Sequence, residues 1–156
     1  MEDTLVIVKP DGINKKLLIK IINRFIEEGL MVSNLMDTEL NQNLIRNHYH
    51  HLVSYPFYKG LEEFMMSGVV VIMIVSGDNA VDRVRKIVGA TDSKKALPNT
   101  IRGLYGNKEN MAQNIIHASD SYENALIEIR RFYQEENDLI NKNNKVYQKR
   151  RVYEKL

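Results

Sequence analysis

One histidine stands apart by its surroundings. His117 closes a short apolar run within Asn114-Ile115-Ile116-His117-Ala118-Ser119-Asp120, and both Ser119 and Asp120 are residues that favour helix N-termini. Glu123 lies three residues beyond Asp120, which makes Asp120 the expected first member of a capping box. An imidazole at such a strand-to-helix corner is held by backbone on both sides. Its ordinary pKa near neutrality suits it to act as a nucleophile or a proton carrier. Cations at element ends add a second signal: Lys9 after an apolar run, Arg85 in a helical stretch, and Thr91 and Arg102 in and after a long irregular segment. Arginine offers forked donors to phosphate oxygens and lysine a point charge, so with His117 these residues form a phosphoryl-transfer set. Neither Gly-x-x-x-x-Gly-Lys-Ser/Thr nor Gly-x-Gly-x-x-Gly occurs, so a phosphate here must be cradled by side chains. His48-Tyr49-His50-His51 places two imidazoles at i and i+3 of a helix, but no carboxylate is close in sequence, and the expectation is a surface helix without a metal.

The elements that must position these residues follow from periodicity. Residues 4–8 are apolar and β-branched, the pattern of a central strand buried on both faces, and Lys9-Pro10-Asp11-Gly12 ends it with turn chemistry. Leu17, Leu18, Ile21, Ile22 and Phe25 recur at helical spacing up to Gly29, a good residue after a helix end. Residues 30–39 read as a strand, 41–53 and 58–66 as helices, 69–75 as the clearest buried strand, and 78–88 as a helix. Residues 91–102 have no periodicity and are expected to be a loop; 115–116 belong to a last short strand and 121–133 to a helix. Collapsing the paired helices gives βαββαβ, an α+β ferredoxin-like sandwich with an antiparallel sheet covered by helices.

The 156 residues fit one domain with a substantial core, and 44% hydrophobic with 27% charged residues is ordinary globular composition. A net charge of +2 gives no general affinity for nucleic acid or anionic membranes. The absence of cysteine excludes disulfides, thiolate catalysis and cysteine-bound zinc. No apolar run is long enough to span a bilayer, and Met1-Glu2-Asp3 is not a signal sequence, so a cytoplasmic protein is expected. The texture changes over residues 138–156, where six Lys/Arg face two acids and Tyr147 and Tyr153 interleave. This stretch is read as a basic C-terminal tail after a 1–137 catalytic domain, either solvated or wrapped on a neighbouring subunit. A nucleic-acid arm is the less favoured reading.

Taken in order, Val8-Lys9-Pro10-Asp11-Gly12, His48-Tyr49, Pro56-Phe57-Tyr58-Lys59-Gly60-Leu61, Gly89-Ala90-Thr91, Thr100-Ile101-Arg102-Gly103 and the His117 motif with Glu128 resemble the nucleoside diphosphate kinases over about residues 3–133. The resemblance implies transfer of the γ-phosphate of a nucleoside triphosphate to a diphosphate, by a ping-pong route through phosphohistidine at His117. It implies that Glu128 and Ser119 orient His117, that Tyr49 lies near the transferring group and that Lys9 meets the ribose and phosphate. Asn114 would bond the ribose, and Arg85, Thr91 and Arg102 would hold the β- and γ-phosphates. Phe57 would stack on the base, with Leu61 and Met111 closing the slot. It further implies Mg²⁺ held mainly by nucleotide phosphates, with no metal ligands from the protein, and a homo-oligomer, a hexamer ahead of a tetramer or dimer. Residues depart from the family pattern at Met111, at Asn99, at Ser93, in a two-residue insertion within 104–110, and at Ala118. Ala118 stands where glycine is common, which raises the question of positive φ at that corner. The competing reading is a non-catalytic nucleotide or nucleic-acid binding protein on the same fold.

Overall fold

The computed structural model describes the backbone of residues 1–143 and the side chains of residues 1–133. The chain runs β1 (Glu2–Val8), α1 (Pro10–Asn14), α2 (Leu18–Glu27), β2 (Met31–Thr38) and α3 (Gln42–His48), then a 3₁₀ turn at His50–Leu52. It continues through α4 (Tyr58–Met65), β3 (Val70–Gly77), α5 (Ala80–Val88), α6 (Ile101–Tyr105), β4 (Ile116–Ala118) and α7 (Tyr122–Asn143). The four strands form one antiparallel sheet in the order β2-β3-β1-β4, the ferredoxin-like arrangement expected. Strand β1 is central. Val6 and Val8 face a core with Leu18, Ile21 and Phe25 of α2 and Val84 and Val88 of α5. Leu5 and Ile7 face the opposite core with Leu44 and Ile45 of α3, Leu61 and Met65 of α4 and Phe132 of α7. This alternation is the two-residue period of a strand buried on both sides.

Two short helices escape the sequence reading. Lys9-Pro10-Asp11-Gly12 does not merely end β1. Lys9 is extended (φ −74°, ψ 167°) and caps α1, with Pro10 in its first turn, where a missing N–H costs nothing. Likewise the segment 91–102 ends in a cap, the Thr100 hydroxyl accepting from Gly103 N at 3.1 Å to open α6. Five-residue helices are too short to show a periodic stripe. Helix α7 also starts one residue later than the capping-box reading requires. Ser121 Oγ accepts from Asn124 N at 3.1 Å, whereas the Asp120 carboxylate accepts from the Asn124 side chain. Of the expected basic tail, 138–143 continue the backbone of α7, and 144–156 lie outside the described residues.

Candidate active site

Strand β4 is three residues long, and its register decides where the histidine points. His117 is paired with Ile7, so the two share a face, the one covered by α3, α4 and α7. Helix α7 crosses β1 and buries Ala125, Glu128 and Phe132, the i, i+3, i+7 stripe of a helix lying on the sheet. Glu128 is therefore brought to His117 directly, with no need to fold back through an element end. His117 Nε2 and Glu128 Oε1 are hydrogen-bonded. A carboxylate accepts, so the proton of the neutral ring sits on Nε2 and Nδ1 carries the lone pair.

The approach to β4 is strained. Ile115, fully buried and β-branched, has φ of 73°, and Ile116 N donates to Asn114 O at 2.8 Å, closing a γ-turn of the rare positive-φ kind. The turn is held from both sides. Ile115 N donates to Asp11 Oδ2 at 3.0 Å, and Ile115 O accepts from Lys9 N at 2.8 Å. The positive φ of this corner thus falls on Ile115 and not on Ala118, which explains why alanine is accepted there. Just before this turn, the Asn114 side chain meets Lys9, whose Nζ donates to Asn114 Oδ1 at 2.7 Å, while Asn114 Nδ2 donates to Thr91 O at 2.9 Å.

A cleft of about 390 Å³ opens here, lined by Lys9, Tyr49, Arg85, Thr91, Arg102, Asn114, His117 and Glu128 among others. Eight of the residues singled out from sequence thus share one cavity. Ser119 is fully buried behind it; its hydroxyl accepts from Leu5 N at 3.3 Å, and its single proton is placed between Leu5 O and the Glu128 carboxylate, whose ionised form it favours. Phe57 and Met111 stand at the surface, 56% and 55% exposed, Phe57 stacked on Tyr55, and Leu61 is packed in the core; none of the three lines the cleft.

The electrostatics suit an anion. Burial, helped by Arg102, pushes the Lys9 ammonium down to about 7. Arg102 is anchored by donating from Nη1 to Gly89 O at 3.0 Å and from Nη2 to Ile116 O at 2.7 Å, and burial lowers it to about 10. Burial among Lys9, Arg102 and Arg85 pushes His117 down to about 3, so its ring is neutral and nucleophilic in the working pH range. Burial raises the Tyr49 phenol, whose hydroxyl lines the cleft without a protein partner.

Sequence reasoning missed His48. It is buried, at 7% exposed, and stands edge-on to His117 with ring centroids 4.6 Å apart. The expected surface position is overturned because α3 turns the stripe Leu44, Ile45, His48, Tyr49 inward. That stripe at i, i+1, i+4, i+5 was a legible signal. Arg131, one turn after Glu128, was missed too; its Nη1 lies 2.9 Å from His48 Nδ1. His48, His117 and Glu128 offer ligand atoms within 4.8 Å of one another. They suit a resident metal poorly, since Lys9, Arg85, Arg102 and Arg131 crowd the same cleft and Glu128 is already engaged by His117.

Residues 2–137 match the family model described as nucleoside diphosphate kinase. The chain belongs to the nucleoside diphosphate kinase family. It is 42% identical over 135 residues to the nucleoside diphosphate kinase of Acetivibrio thermocellus, covering 86% of this chain and 98% of that protein. It is 44% identical over 133 residues to that of Wolinella succinogenes, covering 85% and 96%. Among solved structures, the apo enzyme of Encephalitozoon cuniculi superposes with a TM-score of 0.81 at 40% identity, over 85% of this chain and 89% of that one. The halophilic Halobacterium salinarum enzyme in complex with CDP gives 0.81 at 36% identity, over 86% and 89%. These relatives support nucleoside diphosphate kinase activity and give no support to a non-catalytic binding protein.

Proposed function

We propose that the chain transfers a phosphoryl group between nucleotides by way of His117, with the residues of the cleft in the following roles. His117 Nδ1 attacks the γ-phosphorus of a bound triphosphate. The N–P bond forms as the bond to the β–γ bridging oxygen breaks, and the diphosphate leaves. A second diphosphate then attacks with a terminal oxygen, the N–P bond breaks, and Nδ1 regains its lone pair. Positive charge gathers on the ring as it is phosphorylated, and Glu128 at Nε2 offsets it. Lys9, Arg85 and Arg102 stabilise the phosphate oxygens, Tyr49 offers its hydroxyl to the transferring group, and Asn114 and Thr91 position the sugar and phosphate end. Ser119 keeps Glu128 oriented. By the family resemblance, exposed Phe57 stacks on the base, with Met111 and Leu61 beside it, outside the cleft that takes the phosphates, and stacking accepts every base because each has a π-face.

Magnesium fits this site as a companion of the nucleotide. The cleft is rich in cations and poor in uncommitted carboxylates, so phosphate oxygens and water supply its ligands. When bound, it neutralises phosphate charge during transfer. We also propose a homo-oligomer, a hexamer by the family resemblance. Exposed Ile19 and Ile26 on α2 and Met31 on the edge strand β2 offer apolar surface to a second copy. No helix among the described residues is long and apolar enough to cross a membrane; by the family resemblance we propose a cytoplasmic site of action.

The observation that carries the reading is the His117–Glu128 hydrogen bond at the floor of a cationic cleft, since it leaves a neutral imidazole with Nδ1 bare. Steady-state rates with ATP as donor and dGDP as acceptor test it. Parallel double-reciprocal lines, and no activity in His117→Ala, are expected. Intersecting lines or an active variant would overturn it.

A further inference from the structure

Two groups beside the reactive imidazole have no role in the reading above. The His48 ring is walled by Tyr49 and Phe132 and set at 83° to the His117 ring. An imidazole in that place has two neutral tautomers, and Arg131 selects between them. A guanidinium has donors only and stays protonated, so His48 Nδ1, at 2.9 Å from Arg131 Nη1, must accept. The one ring proton of His48 therefore sits on Nε2. That nitrogen lies 4.0 Å from Glu128 Oε1, the same oxygen that accepts from His117 Nε2. One carboxylate oxygen thus faces the N–H groups of two perpendicular imidazoles.

We propose that Arg131 and His48 are positioning residues which keep Glu128 an ionised acceptor, and so hold the His117 proton on Nε2 and leave Nδ1 bare; the proposal rests on the phosphotransfer reading of this site. Burial favours the protonated form of Glu128. A protonated Glu128 would donate to His117 Nε2 and drive the ring proton onto Nδ1, where it blocks attack. The groups facing Glu128 are His48 from α3, His117 from β4, Ser119 and Asp120 just beyond β4, and Arg131 on its own helix. The Nε2–H of neutral His48 facing the carboxylate at 4.0 Å, the Ser119 hydroxyl and the Arg131 charge oppose protonation, whereas the Asp120 charge favours it. Without Arg131 the other His48 tautomer becomes available, and it would turn a lone pair toward the Glu128 oxygen.

The test uses the full chain labelled with ¹⁵N-histidine, whose ring shifts separate protonated from bare nitrogens. It is paired with rapid-quench rates of His117 phosphorylation by Mg-ATP across pH. His48→Phe keeps the aromatic packing and loses the N–H; Arg131→Met loses the donor and Arg131→Lys restores one. We expect Nε2–H at His117 in the wild type, and a tautomer mixture in His48→Phe and Arg131→Met. The acid limb of the rate should move up by about one pH unit, a roughly tenfold loss on that limb. Rates near pH 8.5 and ADP affinity should stay within about twofold of wild type, and Arg131→Lys should recover the limb. A merely structural role would lower the rate equally at every pH, and that result overturns the proposal. So does an unmoved tautomer and limb in Arg131→Met, the variant that carries the test if His48→Phe fails to fold. A wild type that takes up no phosphoryl group defeats the phosphotransfer reading instead, and the nitrogen shifts still judge the tautomer claim.

Discussion

Nucleotide binding should draw a proton onto Lys9. Lys9 is only 5% exposed and its ammonium is pushed down to about 7 by burial and by Arg102, so at pH 8 only about a tenth of free sites carry the charge. Phosphate oxygens placed against Nζ reverse that balance, because an opposite charge at contact favours the charged form. If the bound value returns near the ordinary 10.5, ADP binding at pH 8 takes up about 0.9 proton per site. At pH 6 the free lysine is already about nine-tenths charged, so uptake by Lys9 falls to roughly 0.1. At pH 8 the nucleotide's own terminal phosphate is fully ionised, with a second pKa around 6, and contributes little. His117, held at about 3, stays neutral at pH 8. Calorimetric titration of ADP into the protein in two buffers of different ionisation enthalpy measures the uptake directly. Lys9→Met should abolish the uptake at pH 8. Uptake that is absent at pH 8, or unchanged in Lys9→Met, would refute the reasoning.

Other consequences concern stability and base stacking. His48 and His117 are both buried in the neutral form with lowered pKa values, so as pH falls below about 6.5 the unfolded chain takes up protons that the folded chain refuses. As far as these two histidines decide it, stability should be level above pH 6.5 and fall by up to roughly 3 kcal/mol per pH unit below it, before the carboxylates titrate, while the lowered Lys9 makes stability rise further above pH 7; equal urea midpoints at pH 7.5 and 5.5 would contradict this. Gly12→Ala would set a Cβ 2.8 Å from Val8 Cγ1 and 2.9 Å from Ile115 O, displacing the carbonyl that accepts from Lys9 N. A loss of about 2 kcal/mol and a Tm lower by roughly 5 °C are expected by thermal melting, and an unchanged Tm would show that the turn gives way without cost. Phe57→Ala should raise KM about tenfold for purine and pyrimidine nucleotides alike while leaving Tm nearly unchanged, since Phe57 is more than half exposed; a KM within twofold of wild type would remove Phe57 from the base site.

The strands and long helices were legible because their periods were clean, as in β1, where four successive residues from Leu5 to Val8 are fully buried. Helix α2 announced itself through Leu18, Ile21 and Phe25. What escaped lay below the length at which period is informative: α1 and α6 are single turns whose only local signals are Pro10 and Thr100. The site was legible in its residue types and only partly in its geometry. Glu128 looked distant from His117 along the chain, because the sequence does not say that α7 crosses β1 and lays its Ala125-Glu128-Phe132 stripe on the sheet. The turn at Ile115 could not be read, since a β-branched residue is the least expected holder of positive φ; long-range partners, Asp11 and Lys9, impose it. His48 was legible on its helical stripe but was masked by its histidine neighbours, whereas its pairing with Arg131 joins residues 83 positions apart and no local pattern reports it.

Intact-protein mass after brief exposure to Mg-ATP, and again after adding GDP, tests the central claim most directly. The account predicts a gain of about 80 Da, one phosphoryl group, that GDP removes, that acid destroys and that His117→Ala never acquires. Folded protein that exchanges phosphate between nucleotides with no such gain, or a gain that persists in His117→Ala, would contradict it.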